Sequence, residues 1–427
     1  MRLGAELKRL GRHSAIYGLG GLVSRILATL LLPLYTHYLP PNAYGRVEIV
    51  TAATAVLAIV LQLGIASAFF RFYFDAKERA GKLTVIRTSF WFTMGMSTLG
   101  LVLGIVFAGP VGHWIGLGHD PSLVRAGAVG LVVGNFTGTL CVYAVLLAYR
   151  SEQLGLEFDR TLFRQMQRFG MPLVPSALAL WAINFVDREF VSWYKGNAEV
   201  GVYSAALKIS TVITFVMIAF RTAWPAFAYS IEDDGEARRT YSFVLTYLLA
   251  AASWLSLALG ALAPWWVELL TNARYQRAEK GVALLVFAET LYAGYVVLAI
   301  GSGRARRTQL NWVVTGTGAA VNIALNFALI PRWGMVGAAI SQVASYAVLF
   351  AGMTLYAQHV YPVPYQWRRI VTVVGAAVGL NVAARAAHLP LAPSFLLVLA
   401  YPLALAALGF YLPAERKRLR RLVPVGR

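Results

Sequence analysis

The chain has 427 residues, of which 58% are hydrophobic and only 13% are charged, and its mean hydropathy is +0.62. A soluble domain carries roughly 25% charged residues, so this composition excludes an ordinary soluble protein and predicts an all-α membrane protein with many spans. The net charge of +19 does not indicate a nucleic-acid partner, because basic residues in membrane proteins collect in the cytoplasmic loops.

The apolar pattern predicts about twelve transmembrane helices, since each apolar segment is long enough to cross a hydrocarbon core of ~30 Å. The segments are 14–38, 46–70, 88–110, 122–149, 171–194, 202–228, 241–263, 281–301, 309–330, 335–358, 369–388 and 394–412. If the amino terminus is cytoplasmic, the cytoplasmic connections carry 26 Lys and Arg residues and the outer connections carry 7. This asymmetry predicts that both termini are cytoplasmic.

The connections are too short to hold a soluble domain, and the segments group into three parts. Residues 1–150 are interpreted as an N-terminal lobe of four helices, 151–358 as a C-terminal lobe of six, and 359–427 as two additional helices with a basic cytoplasmic tail. The stretches LPPNAYGRVEIVTA and YKGNAEVGVYSAA resemble each other around Gly45 and Gly201 and enter the membrane in the same direction. Such a repeat predicts two pseudo-symmetric lobes around a central cavity.

Arg25 is the first basic residue inside a predicted span. It shares a helix face with Gly18 and Gly21, and small residues allow a neighbouring helix to approach closely. Its position is near mid-membrane, where a charge is costly unless it faces a partner or a watery cavity. We therefore expect Arg25 to line a cavity; the alternative is an arginine that snorkels to the surface.

A second polar stripe occurs in the predicted span 171–194, where Asn184, Asp187 and Arg188 share a helix face at spacings of three and four. Two interpretations are open. The stripe lines a cavity, or Asp187 and Arg188 neutralise each other or neighbouring helices and so hold the bundle together.

Three further cations lie within or next to spans. Lys208 recurs with Ser204 and Thr211 on one face and is a candidate for contact with an anion, with outward snorkelling as the alternative. Arg71 and Arg221 lie near cytoplasmic helix ends, where an anchor that sets the topology is the default interpretation and substrate contact is the second.

Asp187 and Glu289 are interpreted as the carboxylates deep in a span. Either could bind a proton or a cation and so couple transport to an ion gradient; Glu289 could equally pair with a basic residue across the bundle. No histidine spacing suits a metal site, and neither a P-loop nor a dinucleotide fingerprint occurs in the sequence. The sequence therefore implies no cofactor and no enzymatic reaction.

Four stretches resemble one known family. VSRILATLLLPLYTHYLPPNAYGRVEIVTA, LGIASAFFRFYFD, RFGMPLVPSALALWAINFVDR and NIALNFALIPRWGMVGAAISQVASYAV are similar, in order and spacing, to the Wzx-type polysaccharide flippases of the multidrug, oligosaccharidyl-lipid and polysaccharide exporter superfamily. In that resemblance Arg25 matches the arginine of a Ser-Arg-x-Leu motif, and Asp187 and Arg188 match an Asp-Arg pair in the polar lining of the second lobe.

The resemblance implies transport of undecaprenyl-diphosphate-linked oligosaccharide across the bacterial cytoplasmic membrane, for O-antigen or capsule synthesis. Two helical lobes would alternate around a cationic cavity, with membrane lipids and polysaccharide polymerase or ligase proteins as partners. Family members usually have two more helices between LLAYR and RFGMP, so the first lobe here is expected to be short by two. Two alternatives stay open, namely a drug or cation antiporter of the same superfamily, and a membrane enzyme that polymerises or transfers polyprenyl-linked sugars.

Overall fold

The computed structural model describes residues 30–65, 68, 69, 72, 73, 76, 78–114, 122, 125, 155, 157–171, 174–305, 307, 310–413 and 415. Within these ranges every regular element is helical, which confirms the all-α prediction. In chain order they are α1 (Leu32–Tyr38), α2 (Pro41–Gln62), α3 (Arg79–Val106), α4 (Ala108–Trp114), α5 (Arg160–Gly170), α6 (Val174–Trp181), a π-helical turn (Ala182–Val186), α7 (Asp187–Lys195), α8 (Asn197–Ser210), α9 (Val212–Ser230), α10 (Asp234–Ala261), α11 (Ala263–Leu270), a 3₁₀ turn (Ala273–Tyr275), α12 (Ala278–Arg304), α13 (Asn311–Trp333), α14 (Met335–Val360), α15 (Trp367–Ala386) and α16 (Leu391–Ala407).

Seven of the helices found in the described ranges are long and apolar enough to cross a membrane: α2, α3, α10, α12, α13, α14 and α15. An eighth candidate is the pair of α5 and the run from Val174 to Lys195, which are bent by 49° relative to each other and form either a broken span or a re-entrant loop. Most of the predicted segments 14–38 and 122–149 lies outside the described residues. The count of twelve spans therefore stays a prediction, whereas the multi-pass helical architecture is shown.

The predicted span 202–228 is two helices in the structure. The hydroxyl of Thr211 donates to the carbonyl of Lys208 at 2.8 Å, and α9 starts at the next residue. Threonine hydroxyls compete in this way for backbone carbonyls and can bend or interrupt a helix.

The chain forms two compact units, residues 42–201 and residues 1–41 with 202–427. The lobe boundary predicted at residue 150 lies outside the described residues, so the predicted division into 1–150, 151–358 and 359–427 stays a prediction.

Glycines allow backbones to meet inside the unit 42–201. A Cβ atom on Gly45 would lie 1.8 Å from the carbonyl oxygen of Asn197 and 2.9 Å from the backbone nitrogen of Gly201. The two glycines that the sequence repeat aligns therefore pack against each other. Gly64, whose φ is +73°, meets Gly170 in the same manner, with 2.2 Å between its virtual Cβ and the Gly170 carbonyl oxygen.

In the other unit a tight hairpin joins α13 to α14. Gly334 turns the chain with φ of +56°, in the left-handed region that favours glycine. Gly337 then allows α14 to pass against α13, since a Cβ there would lie 2.6 Å from the Leu329 carbonyl oxygen. The positive φ at Gly334 and the close helix contact at Gly337 explain why glycine occupies these two positions of the stretch RWGMVGAAISQ.

Candidate functional site

A buried ion pair joins two helices of the unit 42–201. The guanidinium Nε of Arg188 on α7 lies 3.6 Å from the carboxylate Oε2 of Glu48 on α2. Arg188 is 7% exposed and Glu48 is 5% exposed, and the ring of Phe185 lies 4.9 Å from the guanidinium carbon. Arg188 therefore pairs α7 with α2; this contact fits the helix-joining interpretation, and cavity lining stays a prediction.

The π-helical turn Ala182–Val186 positions this arginine. Such turns release backbone carbonyls from the regular hydrogen-bond ladder and occur frequently at functional sites. Nη1 of Arg188 donates to the carbonyl of Asn184 inside the turn at 2.8 Å. The indole N–H of Trp181, one residue before the turn, donates to the carbonyl of Ala52 on α2 at 3.1 Å. The hydrogen bond of Trp181 before the turn and the ion pair of Arg188 after it therefore attach α6 and α7 to α2.

Two more carboxylates flank Arg188 in the chain. Asp187 is 1% exposed and Glu189 is 7% exposed. Oε2 of Glu189 has no hydrogen-bond partner among the described residues. An ionised side chain at membrane depth costs a few kcal/mol, so this acid is a candidate for binding a proton.

In the other unit, Lys208 is half-buried on α8. Its ammonium nitrogen lies 5.6 Å from the ring centroid of Tyr35 on α1, within the range of a cation–π contact. Ser204, predicted on the same face, is fully buried, and the hydroxyl of Thr211 is engaged by the backbone. Lys208 is therefore the residue of this predicted stripe that offers a charged, partly exposed side chain.

Glu289 and Arg221 lie along the contact between α9 and α12. The hydroxyl of Thr214 donates to Oε2 of the half-buried Glu289 at 2.7 Å. One turn further along α12, the ring of Tyr292 stacks on Tyr295, and the guanidinium carbon of the exposed Arg221 lies 5.4 Å from the Tyr292 centroid. This strip offers oxygen ligands for a proton or small cation and a guanidinium for an anion.

Arg25 and Arg71 lie outside the described residues, so their predicted roles are not tested by the geometry. Sequence reasoning missed Glu48 and Glu189, although both fall inside predicted apolar segments; comparing every acid with the segment boundaries would have found them. Among the described side chains, no group of three or more His, Cys, Asp or Glu residues is placed to hold a metal ion.

A bundle of long apolar helices with charged side chains buried within it defines a polytopic membrane protein. Residues 10–129 match one family model described as a polysaccharide biosynthesis protein, and residues 121–280 match a second with the same description. No curated protein sequence matches the chain significantly. The fold is similar to that of the lipid II flippase MurJ in its inward closed conformation, with a TM-score of 0.50 and 11% sequence identity over 97% of this chain and 100% of that chain.

The resemblance found in the sequence is confirmed. Over residues 10–280 the chain is similar to polysaccharide biosynthesis proteins, and its fold is that of a multi-pass helical membrane protein.

Proposed function

We propose that the protein flips an undecaprenyl-diphosphate-linked oligosaccharide from the inner to the outer leaflet of the bacterial cytoplasmic membrane, for the synthesis of a surface polysaccharide such as O-antigen or capsule. The observation that carries the proposal is the pair of matches to two polysaccharide biosynthesis models, over residues 10–129 and 121–280. The similar fold of a protein named a lipid II flippase supports it. In this proposal both termini are cytoplasmic.

The diphosphate is the part of the substrate that needs the protein. It carries roughly two negative charges, and at membrane depth these must exchange water for cationic hydrogen-bond donors. Lys208 is the best-placed described candidate, because it is half-buried and is charged. Arg25 is the second candidate, while Arg71 and Arg221 near the predicted cytoplasmic helix ends would meet the head group on arrival. The polyprenyl tail stays in lipid, so the protein shelters only the head group.

Alternating access of two lobes is the proposed mode of transport, and carboxylates are the proposed coupling groups. Glu289 accepts a hydrogen bond from Thr214, and Asp187 lies buried beside Arg188. Glu189 joins them as a candidate because one of its oxygens lacks a partner among the described residues. Protonation of such a group would remove a charge that is costly at membrane depth and so bias one state of the cycle.

No sugar chemistry is part of this proposal. A polymerase or transferase of polyprenyl-linked sugars needs acidic residues near the outer surface and usually a long outer loop, whereas α11 and α12 are joined by only a short 3₁₀ connection around Ala273–Tyr275. We propose such enzymes as partners instead, because they would use the flipped substrate on the outer side.

The alternative is a drug or cation antiporter of the same superfamily. The predicted spans contain eight basic residues, Arg25, Arg46, Arg125, Arg188, Lys208, Arg221, Arg369 and Arg385, and four acidic ones, Glu48, Asp187, Glu189 and Glu289. The excess of basic residues favours an anionic substrate, but the four acidic side chains also allow cation binding. Direct transport assays with both substrate classes are therefore needed.

The test is the leaflet accessibility of the lipid-linked oligosaccharide in cells that carry the protein or lack it. An impermeant glycan-binding probe should label the oligosaccharide at the outer surface only when the protein is present. Lys208→Ala should lower that labelling about tenfold or more, in line with the loss of one charge-assisted contact. Lys195→Ala is the matched control, because Lys195 is exposed at the end of α7. Undiminished labelling in cells without the protein would contradict the proposed function.

A further inference from the structure

An apolar pocket of about 500 Å³ lies on the unit 42–201. It is lined by side chains from α3 and from the segment before α5, namely Trp91, Phe92, Gly95, Met96 and Phe158. It is a largely open groove, and its lining is apolar and aromatic, as in most sites for small molecules. The pocket therefore has the size and the chemistry for an alkyl chain.

Two contacts hold Phe158 at this pocket by fixing its segment to α3. The indole N–H of Trp91 donates to the carbonyl of Gly155 at 3.0 Å. Nη1 of Arg87, one turn earlier on α3, lies 2.6 Å from Oε2 of Glu157. Because Gly155 and Glu157, which both precede Phe158, are attached to α3, the wall of the pocket is a defined part of the fold.

A row of arginines begins directly after this segment. Asp159 caps α5 by accepting hydrogen bonds from two backbone N–H groups of its first turn. Arg160, Arg164 and Arg168 follow at intervals of four, so they lie on one helix face over ~12 Å, and all three are exposed. The opposite face is apolar, with Met166 fully buried in the unit. The arginine row is consequently directed away from the protein core.

The pocket and the arginine row adjoin each other. Phe163 of α5 lies 4.9 Å from Phe92 and 5.3 Å from Phe158 between ring centroids, and both of these rings line the pocket. The connection that contains α5 is one that the charge pattern predicts to be cytoplasmic, and the cytoplasmic leaflet is rich in anionic lipids.

We propose that the pocket and the arginine row together bind one anionic phospholipid, with an acyl chain in the pocket and the phosphate at Arg160, Arg164 and Arg168. The complementarity of charge selects this occupant, because a zwitterionic lipid would gain little from three cations in a row. This site is separate from the proposed transport of the lipid-linked oligosaccharide, and its test does not depend on transport.

The test measures binding of phosphatidylglycerol and of phosphatidylcholine to the purified full-length protein by native mass spectrometry. Gly95→Leu fills the pocket from within, and a Cβ on Gly95 meets no atom within 4 Å, so the fold tolerates the change. Gly375→Leu on α15 is the matched control, because Gly375 is also exposed and also has no atom within 4 Å of its Cβ. We expect Gly95→Leu to weaken phosphatidylglycerol binding about tenfold, since each methylene that loses its apolar contact costs roughly fourfold. Gly375→Leu should leave the binding unchanged.

The arginine row is tested by the triple variant Arg160→Gln, Arg164→Gln and Arg168→Gln. Each arginine near an anionic surface contributes roughly fivefold, so the triple variant should lose on the order of 100-fold in affinity for phosphatidylglycerol and little for phosphatidylcholine. Equal binding of the two lipids by the unaltered protein would overturn the proposal. So would equal effects of Gly95→Leu and Gly375→Leu, or tighter competition by undecaprenyl diphosphate for the same pocket, which would assign the site to the transported lipid instead.

Discussion

The buried pair of Arg188 and Glu48 makes a quantitative prediction. Arg188→Gln removes the cation that lies 3.6 Å from the carboxylate of Glu48, and Glu48→Gln removes that carboxylate from the guanidinium. Both side chains are more than 90% buried, so either change removes one member of this pair and leaves the other buried charge without it. Breaking a buried pair from one side costs ~3–5 kcal/mol, whereas removing both charges costs much less. We therefore expect each single variant to lose about 3 kcal/mol and the double variant about 1 kcal/mol.

Thermal unfolding in a lipid nanodisc measures this cycle. For a unit the size of residues 42–201, ~1 kcal/mol corresponds to about 2–4 °C, so each single variant should unfold at least ~6 °C below the unaltered protein. The double variant should recover most of that loss. Arg274→Gln, at an exposed position in the 3₁₀ turn, is the control and should change little.

Additive losses in the double variant would refute the reasoning, because they would show that Arg188 and Glu48 do not stabilise each other. The same variants also test whether Arg188 contacts the substrate as well as joining α7 to α2. If the double variant is stable but flips no substrate while Glu48→Gln alone still flips it, Arg188 contacts the substrate in addition to joining α7 to α2.

Three further predictions concern packing and the helix ends that the charge pattern predicts to be cytoplasmic. Gly45→Ala should destabilise the protein by roughly 3 kcal/mol or abolish its accumulation, because the new methyl group would lie 1.8 Å from the backbone oxygen of Asn197. Thermal unfolding measures the effect. Gly95→Ala is the control, because its methyl group meets no atom within 4 Å. Arg304→Met should lower the unfolding temperature by several degrees, because Arg304 donates to the carbonyls of Ala228 near the end of α9 and of Glu232 after it, and to Asp234 at the start of α10. Burial raises the pKa of Glu415, but hydrogen bonds from Tyr247, Leu412 and Arg369 and the charge of Arg369 together lower it below its ordinary value of 4.5. The stabilisation is present above pH ~4.5 and is lost as the pH falls through the lowered value, so unfolding between pH 6 and pH 3 should depend on pH less steeply in Glu415→Gln.

Much of the architecture follows from composition and apolar periodicity. The all-α class and the approximate positions of the long helices were predictable because spanning helices need long apolar runs, whereas the family came from the resemblance of four stretches. The break at Thr211 was not, since it depends on one hydroxyl competing for one carbonyl. Nor was the π-helical turn before Arg188, because no residue type specifies such a turn by itself.

The candidate site was predictable only in part. A search for charges in apolar runs finds Asp187, Arg188, Lys208 and Glu289. The partner of Arg188 needed the structure, because Glu48 is distant in sequence and only packing brings α2 against α7. Arg25 and Arg71 are the opposite case: the sequence predicts them as site residues, but they lie outside the described residues.

The most direct test of the proposed function is flipping by the purified protein in proteoliposomes. Fluorescent undecaprenyl-diphosphate oligosaccharide is incorporated into both leaflets, and an impermeant reductant then bleaches the outer leaflet. With the protein present, bleaching should pass from about half to nearly all of the label, and Lys208→Ala should slow the second half about tenfold while Lys195→Ala should not. Bleaching that stops at half with the folded protein present would contradict the account.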